Sequence, residues 1–125
     1  MAKQTVLVVD DDDTIRSVVE AMLEKNGFKA LTASNGKDGL KAANNKTPDA
    51  IVLDRKMPDI DGNDVLKSLK ENPATQNIPV LMLTGERAIS EVSSSLSLGA
   101  MDYIVKPFDQ ENFLMRLRNI LNKKK

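Results

Sequence analysis

A doubly wound α/β sandwich, with helices on both faces of a parallel sheet, is the fold this sequence predicts, and three observations predict it. Short β-branched or Leu-rich runs alternate five times with segments of helical period, an alternation that right-handed βαβ crossovers turn into parallel strands. Two of the runs, Val6-Leu7-Val8-Val9 and Ile51-Val52-Leu53, are apolar without alternation, as strands buried on both sides are. The 125 residues are the size of one domain with one real core. No internal repeat beyond the β/α alternation and no low-complexity linker interrupts them, so 1–125 reads as a single domain.

The elements follow in order. A first strand is expected over 6–10. The first helix is carried by Ile15, Val18, Val19, Met22 and Leu23 at i, i+3, i+4, i+7 and i+8. Asp13 or Thr14 would cap its start and Asn26-Gly27 would stop it. Further strands are expected at 29–33, 50–54, 80–84 and 101–105, and further helices at 37–45, 62–72, 89–98 and 110–122. Lys123-Lys124-Lys125 falls at a helix C-terminus, where the dipole favours cations, and reads as a solvated end.

Composition removes several classes of function. Lys and Arg (18) balance Asp and Glu (18), so there is no basic field for a phosphate backbone. One Tyr, three Phe and no Trp leave no platform for stacking bases. Direct nucleic-acid binding is therefore not expected. With no Cys and no His, thiolate chemistry, imidazole bases and the usual zinc ligands are all absent. Catalysis here must rest on carboxylates, hydroxyls, Lys or a cation held by oxygen. The apolar run after Thr5 meets four consecutive Asp, so no signal-peptide pattern and no membrane span is read, and a cytoplasmic setting is expected.

In an open parallel sheet, ligands bind outside the carboxyl ends of the strands. The polar residues of this chain gather at those ends. Asp10 to Asp13 follow the first strand, Asp54 closes the third, Thr84 closes the fourth and Lys106 follows the fifth. Helix capping accounts for Asp12 or Asp13; it does not account for Asp10, Asp11 and Asp54. Three converging carboxylates repel unless a positive charge sits among them, and an oxygen-only donor set suits Mg²⁺ or Mn²⁺. Lys106 precedes Pro107, a candidate for a cis peptide bond. Together these residues spell cation-assisted phosphoryl chemistry on a carboxylate, in which Asp is the nucleophile and Lys and Thr attend the phosphoryl oxygens.

Over essentially its whole length the chain resembles the receiver domain of two-component response regulators, the chemotaxis-regulator-like family. The pieces that carry the resemblance are Val8-Val9-Asp10-Asp11, Asp54-Arg55-Lys56-Met57-Pro58 with Asp61-Gly62 behind it, Leu83-Thr84-Gly85, and Gly99-Ala100 leading to Tyr103-Ile104-Val105-Lys106-Pro107-Phe108. Each is weak alone and specific in this order. The resemblance implies a flavodoxin-like sandwich with strand order 2-1-3-4-5. It implies that Asp54 accepts a phosphoryl group from a phosphohistidine of a partner histidine kinase or phosphotransfer protein. Asp11, Asp54 and the backbone carbonyl of Lys56 would bind Mg²⁺, with Asp10 acting mainly through water.

By the same resemblance Thr84 is the switch hydroxyl, Lys106 the ammonium on the phosphoryl group, Gly85 the small residue that leaves room for it, and Tyr103 the aromatic that changes rotamer. Thr84 and Tyr103 are placed at the ends of two strands that border a face made by the fourth helix, fifth strand and fifth helix. That face would bind a target or a second copy, with Ser93 to Leu96, Arg116 and Arg118 as its polar surface. Lys56 and Glu86 would flank the path of hydrolytic water and slow dephosphorylation. The chain is thus expected to be a signalling phosphoacceptor and not an enzyme acting on other substrates.

Rival readings exist. Asp10-x-Asp12-x-Thr14 also satisfies the signature of haloacid-dehalogenase phosphatases, with Asp10 as nucleophile and Asp12 as acid-base residue. That reading lacks the family's late acidic pair and leaves Asp54 idle. A calcium loop at Asp59-Ile60-Asp61-Gly62 fails, because Gly62 at the sixth position puts Met57 first and Ser68 twelfth. A receiver kept only for protein binding would not need the complete set of acids. Tyr103 alone would read as a half-buried core aromatic.

Overall fold

A computed structural model describes residues 3–85 and 92–123, and for 92–94 the backbone only. Five strands, β1 (Thr5–Val9), β2 (Lys29–Ala33), β3 (Ala50–Asp54), β4 (Val80–Gly85) and β5 (Asp102–Lys106), alternate with five helices. These are α1 (Asp13–Lys25), α2 (Gly36–Lys46), α3 (Gly62–Glu71), α4 (Val92–Ser97) and α5 (Gln110–Lys123). The sheet is parallel throughout, in the order β2-β1-β3-β4-β5. Order reverses between β1 and β3, which opens a crevice at their carboxyl ends.

Alternation along the central strands fills two cores. Val6, Val8, Val52, Leu81, Leu83 and Ile104 pack under Val19 and Leu23 of α1 and Phe113 and Leu117 of α5. Leu7, Val9, Ile51, Leu53 and Met82 pack under Ala43 of α2 and Val65, Leu66 and Leu69 of α3. Each fully buried Val or Leu contributes about 1.5–3 kcal/mol relative to exposure, so the two-sided burial of β1 and β3 fixes the register on which the site depends.

The ends differ from expectation by small amounts. α1 is capped by Asp12, whose carboxylate accepts from Thr14 N and Ile15 N; this agrees with the capping reading of Asp12 or Asp13 and not with a start at Asp13 or Thr14. β1 ends at Val9, so Asp10 lies just beyond it, still donating its N–H to Ala33 O at 3.1 Å. β4 runs on to Gly85, and β5 begins at Asp102 and includes Lys106. The first part of the expected fourth helix, from 89 to 91, and the tail residues Lys124 and Lys125 lie outside the described residues. Among the described residues no helix is long and apolar enough to cross a membrane.

Candidate functional site

Asp10, Asp54 and Lys106 stand two residues beyond Val8, Val52 and Ile104, so period-two alternation directs all three to the α1/α5 side of the sheet. There they meet. Lys106 Nζ donates to Asp54 Oδ1 at 2.9 Å and to Asp10 Oδ2 at 3.3 Å. The other oxygen of Asp10 accepts from Asp12 N at 2.9 Å. The Lys106-Pro107 peptide bond is cis, as the sequence allows. One carboxylate oxygen from each of Asp10, Asp11 and Asp54 lies within 4.8 Å of the others. Asp10 is fully buried and Asp54 nearly so, whereas Asp11 faces solvent.

The electrostatics follow from that burial. Desolvation pushes the Asp54 carboxyl up from 3.8 to about 6; Lys106 opposes the rise, and the charges of Asp10 and Asp11 add to it. Burial would pull the Lys106 ammonium down, but its bond to Asp54 and the charges of Asp54 and Asp10 outweigh burial and hold it above the usual lysine range. The three carboxylates face this single ammonium, which leaves two formal negative charges. That excess, on oxygen donors alone, fits a hard divalent cation.

Two polar ties set the loops that carry these acids. Arg16, one turn into α1, donates to the Asp10 carbonyl at 2.8 Å and pairs with Asp13. In the β3–α3 loop, Arg55 grips both oxygens of Asp61 at 2.5 and 2.7 Å, while Asp61 caps α3 through Asn63 N at 2.9 Å. Gly62 N donates to Arg55 O at 2.8 Å. A Cβ on Gly62 would stand 2.3 Å from the Asp54 carbonyl oxygen, so only glycine allows this approach. Asp59 caps α2 from outside it, accepting from Gly36 N and Lys37 N at 2.9 and 3.0 Å. Those bonds hold its carboxyl below the usual range.

Of the other expected residues, Thr84 is buried and its hydroxyl donates to Gly85 O at 3.1 Å. It follows Met82 and so belongs to the opposite side of the sheet. Space beside Gly85 is open, with nothing within 4 Å of a built Cβ. Lys56 is exposed two residues past Asp54. Glu86 lies outside the described residues.

Tyr103 is half-buried on the Thr84 side, under the Arg116 guanidinium at 5.6 Å. It pairs with Met82 and lies near the start of β5, not at its end, because Thr84 pairs with Val105. The two are diagonal neighbours on one face, about 7 Å apart along the strands. Ser95, expected on the polar surface, is buried and bonded to Asn63 at 2.6 Å. Ser93 and Ser94 have no described side chains. Arg116 is held by Asp102 and Asn112, and Arg118 is exposed.

A five-stranded doubly wound sheet with buried acid, lysine and hydroxyl at its carboxyl edge defines a receiver of the response-regulator class. The comparisons agree: residues 6–118 match the family described as response regulator receiver domain, and the chain belongs to it. It is 40% identical over 120 residues (95% of this chain, 50% of the relative) to "Probable transcriptional regulatory protein TcrX" of Mycobacterium tuberculosis. It is 38% identical over 118 residues (94% and 48%) to the alkaline phosphatase synthesis transcriptional regulatory protein PhoP of Bacillus subtilis. The chain thus spans about half the length of the curated relatives it matches.

Among solved structures it superposes on chemotaxis protein CheY4 of Vibrio cholerae with TM-score 0.89, 32% identity and coverage of 95% and 99%. It also superposes on the receiver domain of sensor histidine kinase PA1611 of Pseudomonas aeruginosa, with TM-score 0.89, 26% identity and coverage of 97% and 99%. That structure holds a magnesium ion in its active-site cleft. The phosphatase alternative finds no support. Its acid-base residue, Asp12, is spent on capping α1, and its nucleophile, Asp10, has both oxygens bonded inside the protein.

Proposed function

We propose that this domain accepts a phosphoryl group on Asp54 from a phosphohistidine of a partner kinase or phosphotransfer protein. The observation that carries the reading is the Lys106 ammonium bridging Asp54 and Asp10, with Asp11 converging on the same point. A carboxylate oxygen of Asp54 attacks phosphorus, the phosphorus–nitrogen bond breaks, and the departing imidazole keeps the electron pair and takes up a proton. Lys106 steadies the Asp54 carboxylate before attack and then the new phosphoryl oxygens, and Thr84 supplies a hydroxyl from across the strand ends. Asp11, Asp54 and the Lys56 carbonyl would hold Mg²⁺, or Mn²⁺ in its place, with Asp10 acting through water. When bound, that ion neutralises charge on the transferring group.

The chain has no His of its own, so the donor comes in trans or is a small acyl phosphate. An apolar groove of about 340 Å³ lined by Ile15, Val18, Met22 and Phe108 adjoins Lys106, which favours this side for the histidine-bearing partner. Output passes through the α4–β5–α5 face to a protein target or a second copy. The pull on Thr84 frees room for the Tyr103 ring to turn inward from beneath Arg116. These features suit a cytoplasmic phosphorelay.

Acetyl phosphate with Mg²⁺ should add one phosphoryl group to the wild type and none to Asp54→Asn, read by intact mass. Uptake by Asp54→Asn at the wild-type rate would overturn the assignment. Loss of uptake in Asp10→Asn with an acid-labile label mapping to Asp10 would revive the phosphatase.

A further inference from the structure

We infer that the Ser95–Asn63 hydrogen bond is a latch: it holds α4 in the arrangement seen here and links its release to the phosphoacceptor loop. The inference rests on the reading of Asp54 given above and adds a route from that residue to α4. A helical serine ordinarily bonds its own backbone or water. Ser95 is 1% exposed, and its hydroxyl donates across to Asn63 Oδ1 on α3, thirty-two residues away, at 2.6 Å.

Both ends of the bond are anchored. Asn63 begins the first turn of α3, with its N–H on Asp61. The residue before it, Gly62, rests against the Asp54 carbonyl oxygen and donates to Arg55 O. A shift of the Asp54 backbone is therefore passed to Asn63 through one residue. On the other side, the Ser95 carbonyl accepts from Ala100 N at 3.1 Å, and Met101 N donates to Val80 O at 2.9 Å. That turn leads straight into β5 and Tyr103. Ser95 thus joins the phosphoacceptor loop to the strand that carries the switch aromatic, by a path separate from the Thr84 side chain.

The chemistry makes this a latch and not mere packing. Apolar contact between α3 and α4 would persist through a small displacement. A hydrogen bond is directional and is lost within about an ångström of its optimum, and a buried hydroxyl and amide left unpaired favour moving out to water. The bond therefore favours the docked position of α4, and its loss favours movement of α4 away from α3.

The test uses Ser95→Ala, Asn63→Ala and the double variant. In ligand-free protein, amide exchange at Leu96, Gly99 and Ala100 should quicken about fivefold in each single variant, with β1 and β3 unchanged. The concentration of beryllium trifluoride, with Mg²⁺, that half-converts the Tyr103 and Gly99 amide signals should fall by a similar factor, because coupling is reciprocal. The double variant should do no more than either single one. Unchanged α4 exchange, or single effects that add in full, would show that the bond does not hold α4. Faster exchange with an unchanged half-point would show that the latch is not linked to Asp54. Should the wild type fail to respond to beryllium trifluoride, the reading of Asp54 and the linkage fail together, while exchange still decides whether the bond holds α4.

Discussion

The side of the sheet under α1 and α5 and the side under α2, α3 and α4 are alike at their centres and unlike at their rims. Both centres are Val, Leu and Ile packed without exposed area. At the first rim stand fixed charges, Asp10, Asp54 and Lys106, bonded to one another beneath helices of 13 and 14 residues. At the second stand uncharged groups: the Thr84 hydroxyl on a carbonyl, the Tyr103 ring beneath Arg116, and the Ser95 hydroxyl of α4 on Asn63. On the function proposed above, chemistry falls to the rim of fixed charges and the response to the rim of uncharged groups. That division suits a switch.

Gly62 is the seam between the two sides, and a change there should show the largest effect. A methyl at Gly62 would meet the backbone oxygen of Asp54 at 2.3 Å and the Arg55 backbone at 2.8 Å, neither of which can yield cheaply. Gly62→Ala should destabilise the fold by about 3 kcal/mol, the upper part of the overpacking range. Uptake of phosphoryl from acetyl phosphate should fall with it. Urea unfolding and intact mass measure the two, and an alanine variant of normal stability would mean that the sides are not joined at this point.

A second effect belongs to the charged rim alone. The folded Asp54 carboxyl titrates near 6 and the unfolded one near 3.8. Between those values the folded state binds the extra proton, so the contribution of Asp54 to stability falls as pH rises through this window and is level above it. Two units correspond to about 3 kcal/mol, and solvent around the Lys106 pair reduces this to about 1–2 kcal/mol. With EDTA present, the wild type should therefore lose that amount relative to Asp54→Asn between pH 4 and pH 7. Parallel stability curves would remove the charge strain from this side. Added Mg²⁺ should restore the wild type and leave Asp54→Asn little changed.

Most of the fold was legible because both cores are written locally, as apolar runs and helical periods that contacts do not override. The acids were legible because a polar residue after a buried strand has few other uses. What escaped depends on partners far along the chain. Four successive Asp offer equivalent caps: the helical period points to Asp13 or Thr14 and the strand-end reading to Asp12 or Asp13, and the fold selects Asp12. The sequence places Thr84 and Tyr103 at the ends of their strands, but the β4–β5 register pairs Thr84 with Val105 and leaves Tyr103 two residues back, beside Met82. Ser95 sits in a run of serines that reads as solvated surface, but it is buried and bonded to Asn63 of α3. Arg16 and Asp59 carry no local mark: their bonds to Asp10 O and to the start of α2 appear only once the loops are folded together.

The smallest effect concerns the lifetime of the phosphorylated state, at the mouth where the two sides meet solvent. Water that hydrolyses an acyl phosphate on Asp54 must approach in line with the Asp54 oxygen. Lys56 is exposed two residues along the loop from Asp54. A protonated lysine cannot act as a base toward that water, and a long side chain at this position would crowd the approach. Glu86, the expected partner of Lys56 across the mouth, would form a surface pair worth only ~0–1 kcal/mol; any slowing therefore comes from bulk and not from the strength of the pair. Replacing Lys56 with Asn shortens the side chain and offers an amide that can orient water. Dephosphorylation of Lys56→Asn should quicken by up to about tenfold, equivalent to ~1.4 kcal/mol of barrier, with α4 exchange unchanged. Decay of the phosphorylated protein after donor removal, in wild type, Lys56→Asn and Glu86→Ala, decides the point. Equal decay in all three would place control of lifetime away from these side chains and back on the charged rim.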